Sequence, residues 1–240
     1  GGTNIQVGLH QGFSILANTD STTVNINGSN IPRVPSVVLL SDGAPTYSSN
    51  SSSWWSPANN NSDGAGTNPS GSSYFIGNGF KALLTGAYMK QAVSSKYRLN
   101  STVYSIGMGI SKLTGAEKNL AYATIDPAQH WDDSNNAVAQ DMKAAWSTYL
   151  AGGTPSVNVG ERQGYSGFDD DYYTVTHPSA NDISGDALKK LVDDYYDADN
   201  ASAITSVFEQ IVSSISISAP QVLTEIKGDL SITESGYITY

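Results

Sequence analysis

Apolar residues recur along this chain with two different periods, and the alternation between those periods sets out an architecture. Ile5, Leu9, Phe13 and Leu16 lie at helical spacing, which predicts a helix over residues 3–16 with Thr3 or Asn4 at its cap. A polar stretch, 18–30, separates it from Val34-Pro35-Ser36-Val37-Val38-Leu39-Leu40. That run is short, β-branched and apolar on both faces, the pattern of a central strand in a parallel sheet. It stops at Ser41-Asp42-Gly43-Ala44-Pro45, a turn sequence. Residues 46–75 are rich in Ser, Asn and Gly and read as an insertion holding Trp54-Trp55 and Tyr74-Phe75.

The alternation continues downstream. Phe80, Leu83, Leu84, Ala87, Tyr88 and Ala92 give an amphipathic helix over 78–96, and 102–110 is a second buried strand closing in a glycine turn. Helices are expected over 115–123 and 135–150, with a polar, aromatic, loop-rich stretch at 151–185. Two helical patterns follow, 187–196 and 201–214. In the second, Ile204, Val207, Phe208, Ile211 and Val212 form one apolar face. Residues 216–240 drift towards strand-like alternation and read as the start of a following β-region. Strands alternating with helices argue for an α/β fold with a parallel sheet and right-handed crossovers. In such sheets ligands bind at the C-terminal ends of the strands. Asp42 follows the best strand directly, and Thr3 stands in a Gly-rich turn at a helix start, on the same rim.

Composition narrows the function. The formal net charge is −10, with 22 Asp and Glu against 12 Lys and Arg. Such a surface repels nucleic acid and anionic lipid and attracts cations. The chain has no cysteine, so disulfides and thiolate metal sites are excluded. No apolar run reaches the roughly 18 residues that a membrane span needs, and no leader pattern is present. The opening Gly1-Gly2-Thr3-Asn4 reads as the interior of a domain, so a preceding segment is expected.

A Thr hydroxyl and an Asp carboxylate are hard oxygen ligands suited to Mg²⁺, Mn²⁺ or Ca²⁺. Each also has a purely structural reading: Thr3 as an ordinary helix cap, Asp42 as a turn residue bonding its own backbone. Together they carry a resemblance. Gly1-Gly2-Thr3-Asn4-Ile5-Gln6-Val7-Gly8-Leu9 resembles the threonine loop of von Willebrand factor A domains, and Val37 to Thr46 is similar to that family's strand-then-aspartate element. Val103 to Gly109 resembles the next core strand. Tyr195-Tyr196-Asp197-Ala198 and the helix ending at Ser214 resemble the last helix.

The resemblance spans about residues 1–214 and implies a three-layer, Rossmann-like α/β domain over 1–215, with insertions near 43–75 and 127–185. It further implies a metal-ion-dependent adhesion site in which Thr3 and Asp42 are metal ligands and Ser41 is a neighbour. The family's Asp-x-Ser-x-Ser turn is expected upstream of residue 1. The implied cofactor is a divalent cation, Mg²⁺ foremost. The implied setting is the surface or cell wall of a Gram-positive bacterium, in a pilus or related adhesin binding a host protein, matrix or glycan ligand without catalysis.

A different function class rests on Trp54 and Trp55, which either stack on a sugar or protein partner without metal or fold back over the core. Other candidates carry less. Asp169-Asp170-Asp171 matches no EF-hand spacing, and His10, His130 and His177 show no zinc pattern. No Ser/His/Asp set suggests a hydrolase. Asp229-Leu230-Ser231-Ile232-Thr233 nearly spells the missing turn, but it sits in an alternating pattern and reads as one polar face of a strand.

Overall fold

A computed structural model describes residues 2–49, 51, 53–59, 76–160, 171–178, 183, 185–218, 231–232 and 238–239. Its frame is a parallel three-stranded sheet. The chain enters through helix α1 (Ile5–Ala17) and a hairpin, β1 (Thr23–Ile26) and β2 (Ser29–Pro32), then runs into strand β3 (Ser36–Ser41). Helix α2 (Ile76–Tyr97) leads to β4 (Thr102–Met108). A short 3-10 turn (Ile110–Lys112) precedes α3 (Gly115–Ile125), α4 (Pro127–His130) and α5 (Ala137–Leu150). A second hairpin, β5 (Ser156–Gly160) with β6 (Asp171–Thr174), precedes β7 (Asp194–Ala198) and α6 (Ala201–Ser218). Two-residue strands β8 (Ser231–Ile232) and β9 (Ile238–Thr239) pair with each other.

The sheet order is β3-β4-β7, all parallel, with Val38 beside Tyr104 beside Asp194 and Ser41 beside Gly107 beside Asp197. The α/β class with a helix-flanked parallel sheet is therefore as the sequence predicts. One face carries the main core. Ile5, Leu9 and Phe13 of α1, Phe80, Leu83 and Leu84 of α2 and Leu120 of α3 pack there with Val37, Leu39 and Val103. On the opposite face α6 packs Val207 and Ile211 onto Tyr104, Ile106 and Ala198. Among the described residues no helix is long and apolar enough to cross a membrane.

Several expectations change. The polar stretch 18–30 holds a hairpin: Asn27 and Gly28 both take positive φ, 51° and 87°, as the Asn-Gly tip of a tight two-residue loop requires. The predicted loop 151–185 contains β5 and β6, paired antiparallel. The helix expected over 187–196 is replaced by a turn at 185–190 and then a strand. Here pairing overrides helical propensity. The Asp193 amide donates to the Val103 carbonyl, and Tyr195 and Tyr196 sit beside Ser105 and Ile106 of β4. Lys90 closes the turn by donating to the carbonyls of Lys190 and Leu191 and to the Asp193 carboxylate. Tyr195 to Ala198, taken from the resemblance as part of a last helix, is thus the third strand, and α6 alone follows it. The run expected to be a central strand, β3, stands at one end of the described sheet.

The described part of the 46–75 insertion belongs to the core. Trp54 is 0% exposed, and its indole N–H donates to the Thr176 carbonyl at 2.6 Å. Its carbonyl accepts from the Thr85 hydroxyl at 2.5 Å. The Ser49 amide donates to the Gln6 side chain, the Ser48 hydroxyl to Asn78, and the fully buried Lys81 ammonium to the Ser49 carbonyl. These bonds satisfy polar groups that burial would otherwise penalise, and they stitch the segment to α1 and α2.

Candidate functional site

The C-terminal rim of the sheet brings together two loops that are about 40 residues apart in sequence. The carbonyl of Thr3 accepts from the amides of Thr46 and Tyr47, at 2.9 and 3.0 Å, and its amide donates to the Thr46 hydroxyl at 2.9 Å. The loop into α1 is thereby laced along the loop that leaves β3. Gly2 makes the close passage feasible: a Cβ there would lie 2.3 Å from the Tyr47 ring. At Gly43 a Cβ would lie 3.7 Å from the Thr3 hydroxyl oxygen. Thr3 and the Asp42-Gly43 turn are therefore neighbours.

The structural roles open to Thr3 and Asp42 are filled by other residues. The cap of α1 is Asn4, whose side chain accepts from the Val7 amide at 3.0 Å. The turn after β3 is closed by the buried Ser41, whose hydroxyl donates to the Gly43 carbonyl at 2.9 Å. Ser41 is thus engaged in its own turn. Among the described residues no hydrogen bond or ion pair occupies the Thr3 hydroxyl or the Asp42 carboxylate, and Asp42 is exposed. Two hard oxygen donors stand on one rim without a structural role. That donor set fits Mg²⁺, which is held by one or two carboxylates and completes its octahedron with water and other oxygens. Among the described residues no three His, Cys, Asp or Glu side chains converge as a metal site.

The remaining candidates lie elsewhere. Trp54 offers no exposed face to a ligand. Trp55 is partly buried, edge-on to Trp54 at 5.4 Å. Tyr74, Asp169, Asp170 and Asp229 lie outside the described residues. His10 is on α1, His130 on α4, and His177 stacks on Tyr149 at 3.9 Å.

One rim cluster was not legible beforehand. Asp126 and His130 approach within 3.6 Å, His130 stacks on Tyr122 at 4.6 Å, and Tyr122 meets Tyr195 edge-on at 6.0 Å. The Tyr195 hydroxyl donates to the Asp197 carboxylate at 2.8 Å. Burial pushes the Asp126 carboxyl up to about 6, with Asp197 adding to the rise and the Gln129 amide opposing it. Burial lowers His130 and raises Tyr195, whose bond to Asp197 adds to the rise. Nothing in the spacing of these residues shows that β7 carries two of them, because that stretch reads as helix.

Comparison with protein-family models, curated proteins and solved structures gives no match for this chain.

Proposed function

We propose that this chain belongs to a von Willebrand factor A-type adhesion module that binds an acidic group of a host or matrix ligand through a divalent cation. The observation that carries the reading is the pair of unengaged donors, Thr3 and Asp42, whose cap and turn roles have passed to Asn4 and Ser41. The location supports it too, since the rim at the C-terminal ends of parallel strands is where α/β sheets bind ligands. When bound, a Mg²⁺ or Mn²⁺ ion supplies a Lewis-acidic position that an incoming carboxylate can fill. The chain's own residues hold that position. The Thr46 and Tyr47 amides fix the Thr3 backbone, Gly2 and Gly43 keep the loops close, and the Ser41 turn presents Asp42 outwards.

Two protein oxygens leave most of the octahedron to water and to the incoming carboxylate. The setting proposed is the bacterial cell surface or a pilus, without catalysis. The test is calorimetric titration of Mg²⁺ and Mn²⁺ into this chain. Saturable binding that Asp42→Ala or Thr3→Val removes, with an unchanged melting temperature, is the expected outcome. Binding that survives both substitutions sinks the assignment.

Of the two tryptophans that a metal-free ligand site would use, Trp54 is a core residue and Trp55 is partly buried.

A further inference from the structure

Gln6 stands where the pattern of α1 calls for a hydrocarbon. Positions 6, 9 and 13 fall on one face of the helix, and Leu9 and Phe13 are core residues. Gln6 is itself 0% exposed. A buried carboxamide costs free energy unless its polar atoms are paired, a condition that an apolar side chain of the same length escapes. Here both ends are paired. The Oε1 atom accepts from the Ser49 amide at 2.9 Å, and the Nε2 group donates to the Thr85 hydroxyl oxygen at 3.1 Å and to the Trp54 carbonyl at 3.5 Å. The Thr85 hydroxyl donates to the same Trp54 carbonyl at 2.5 Å. One side chain of α1 therefore gathers two points of the chain that leaves β3 and one point of α2. A satisfied buried network of this kind fixes a single arrangement of its members, because any shift leaves a desolvated group unpaired.

This network lies directly behind the rim. Thr3, three residues before Gln6, takes the Thr46 and Tyr47 amides on its carbonyl, and Ser49 lies two residues beyond Tyr47. The start of α1 and the chain beyond Asp42 are thus fastened twice, by backbone at Thr3 and by side chain at Gln6. The fastening at Gln6 is also held from α2. Lys81 donates to the Ser49 carbonyl, and the neighbouring Ser48 hydroxyl donates to the buried Asn78. The Thr3 amide's bond to the Thr46 hydroxyl is only part-buried, so water competes for it, whereas the bond between Gln6 and Ser49 is buried.

We infer that Gln6 is the positioning residue of the cation site, taking that site as proposed above: by pinning Ser49 and Trp54 to α1, it sets the distance between the Thr3 hydroxyl and the Asp42 carboxylate. Gln6 bonds to neither of these two donors. Groups that orient metal ligands from behind typically change affinity about 10–100-fold when they are removed. The test is Gln6→Met, which keeps the length of the side chain and removes its amide, read in two ways in this chain. Amide exchange at Thr46 and Tyr47 reports the fastening without metal. Mn²⁺ titration, followed by broadening at residues 2–4 and 42–47, reports the site. Thr85→Val breaks the same network from α2 and covers the case of a misfolded Gln6→Met. Ile106→Val, on the α6 side of β4, controls for loss of stability alone. In Gln6→Met and Thr85→Val, exchange at Thr46 and Tyr47 about 10-fold faster and Mn²⁺ affinity about 10-fold weaker are expected, with exchange along β4 unchanged. Ile106→Val should keep the parent's Mn²⁺ affinity. Unchanged exchange at Thr46 and Tyr47, faster exchange with intact Mn²⁺ affinity, or an equal loss of affinity in Ile106→Val overturns the role of Gln6. Absence of Mn²⁺ binding at these residues in the unsubstituted chain removes the cation site itself, and the role of Gln6 falls with it. The two failures are distinct, since a missing site shows in the parent and a missing positioning role shows only in the variants.

Discussion

Strands β3 and β4 lie side by side, and both are apolar on both faces, but the structure treats them differently. β4 runs from Thr102 to Met108 with Val103 and Ile106 at 0% exposure, clad by α2 and α3 on one face and α6 on the other. β3 is clad on one face, and its other face leaves Val38 and Leu40 half exposed. The pattern of a strand states how much burial it can use, while its neighbours decide how much it receives. Where the two disagree, as at β3, apolar side chains stay partly exposed.

Substitutions sharpen that contrast in order of size. Trp54 fills the core beneath the rim and satisfies both of its polar ends, so Trp54→Ala should cost about 3–5 kcal/mol in urea unfolding. On β4, Ile106→Ala should cost about 2–5 kcal/mol by the same measurement. Asp126→Asn should stabilise the protein by about 1–3 kcal/mol at pH 7–8, since moving a pKa by one is worth about 1.4 kcal/mol. The sign follows from the raised carboxyl. The folded chain holds that proton more tightly than the unfolded chain, so wild-type stability falls as pH rises from about 4 through about 6. The benefit of Asn should therefore vanish near pH 4, and a benefit that does not change with pH would refute the burial argument. On β3, Leu40→Ala in residues 1–240 should cost less than about 1 kcal/mol, because a half-exposed side chain leaves little cavity. If Leu40→Ala costs as much as Ile106→Ala, the two strands are equally buried in solution and the contrast is broken. Asp42→Ala should leave stability within about 0.5 kcal/mol, for its carboxylate has no partner among the described residues.

Much of this was legible in the residues themselves. The spacing of Ile5, Leu9, Phe13 and Leu16 gave α1, and the apolar runs gave β3 and β4. The helical face of Val207 and Ile211 gave α6. Asp42 and Thr3 could be placed on one rim because strand, turn and helix start each have local signatures. What stayed hidden depends on contacts distant in sequence. Tyr195 and Tyr196 become a strand because β4 offers them an edge, although the preceding Ala187 to Lys190 favour helix. Trp54 lies in a Ser- and Asn-rich stretch that reads as surface, and only its bonds to Thr85 and Thr176 make it core. Which of Thr3 and Asn4 caps α1 is likewise a matter of geometry, and the answer leaves Thr3 available.

The most direct measurement of the rim reading is a Mn²⁺ titration of residues 1–240 followed by NMR line broadening. A cation held by two protein ligands binds weakly, and paramagnetic broadening reports weak occupancy residue by residue. The account predicts that amides of residues 2–4 and 42–47 broaden first, that the β1–β2 hairpin is spared, and that Asp42→Ala abolishes the effect. Broadening spread evenly over the acidic surface, or centred on Asp126 and Asp197 and unchanged in Asp42→Ala, would contradict it.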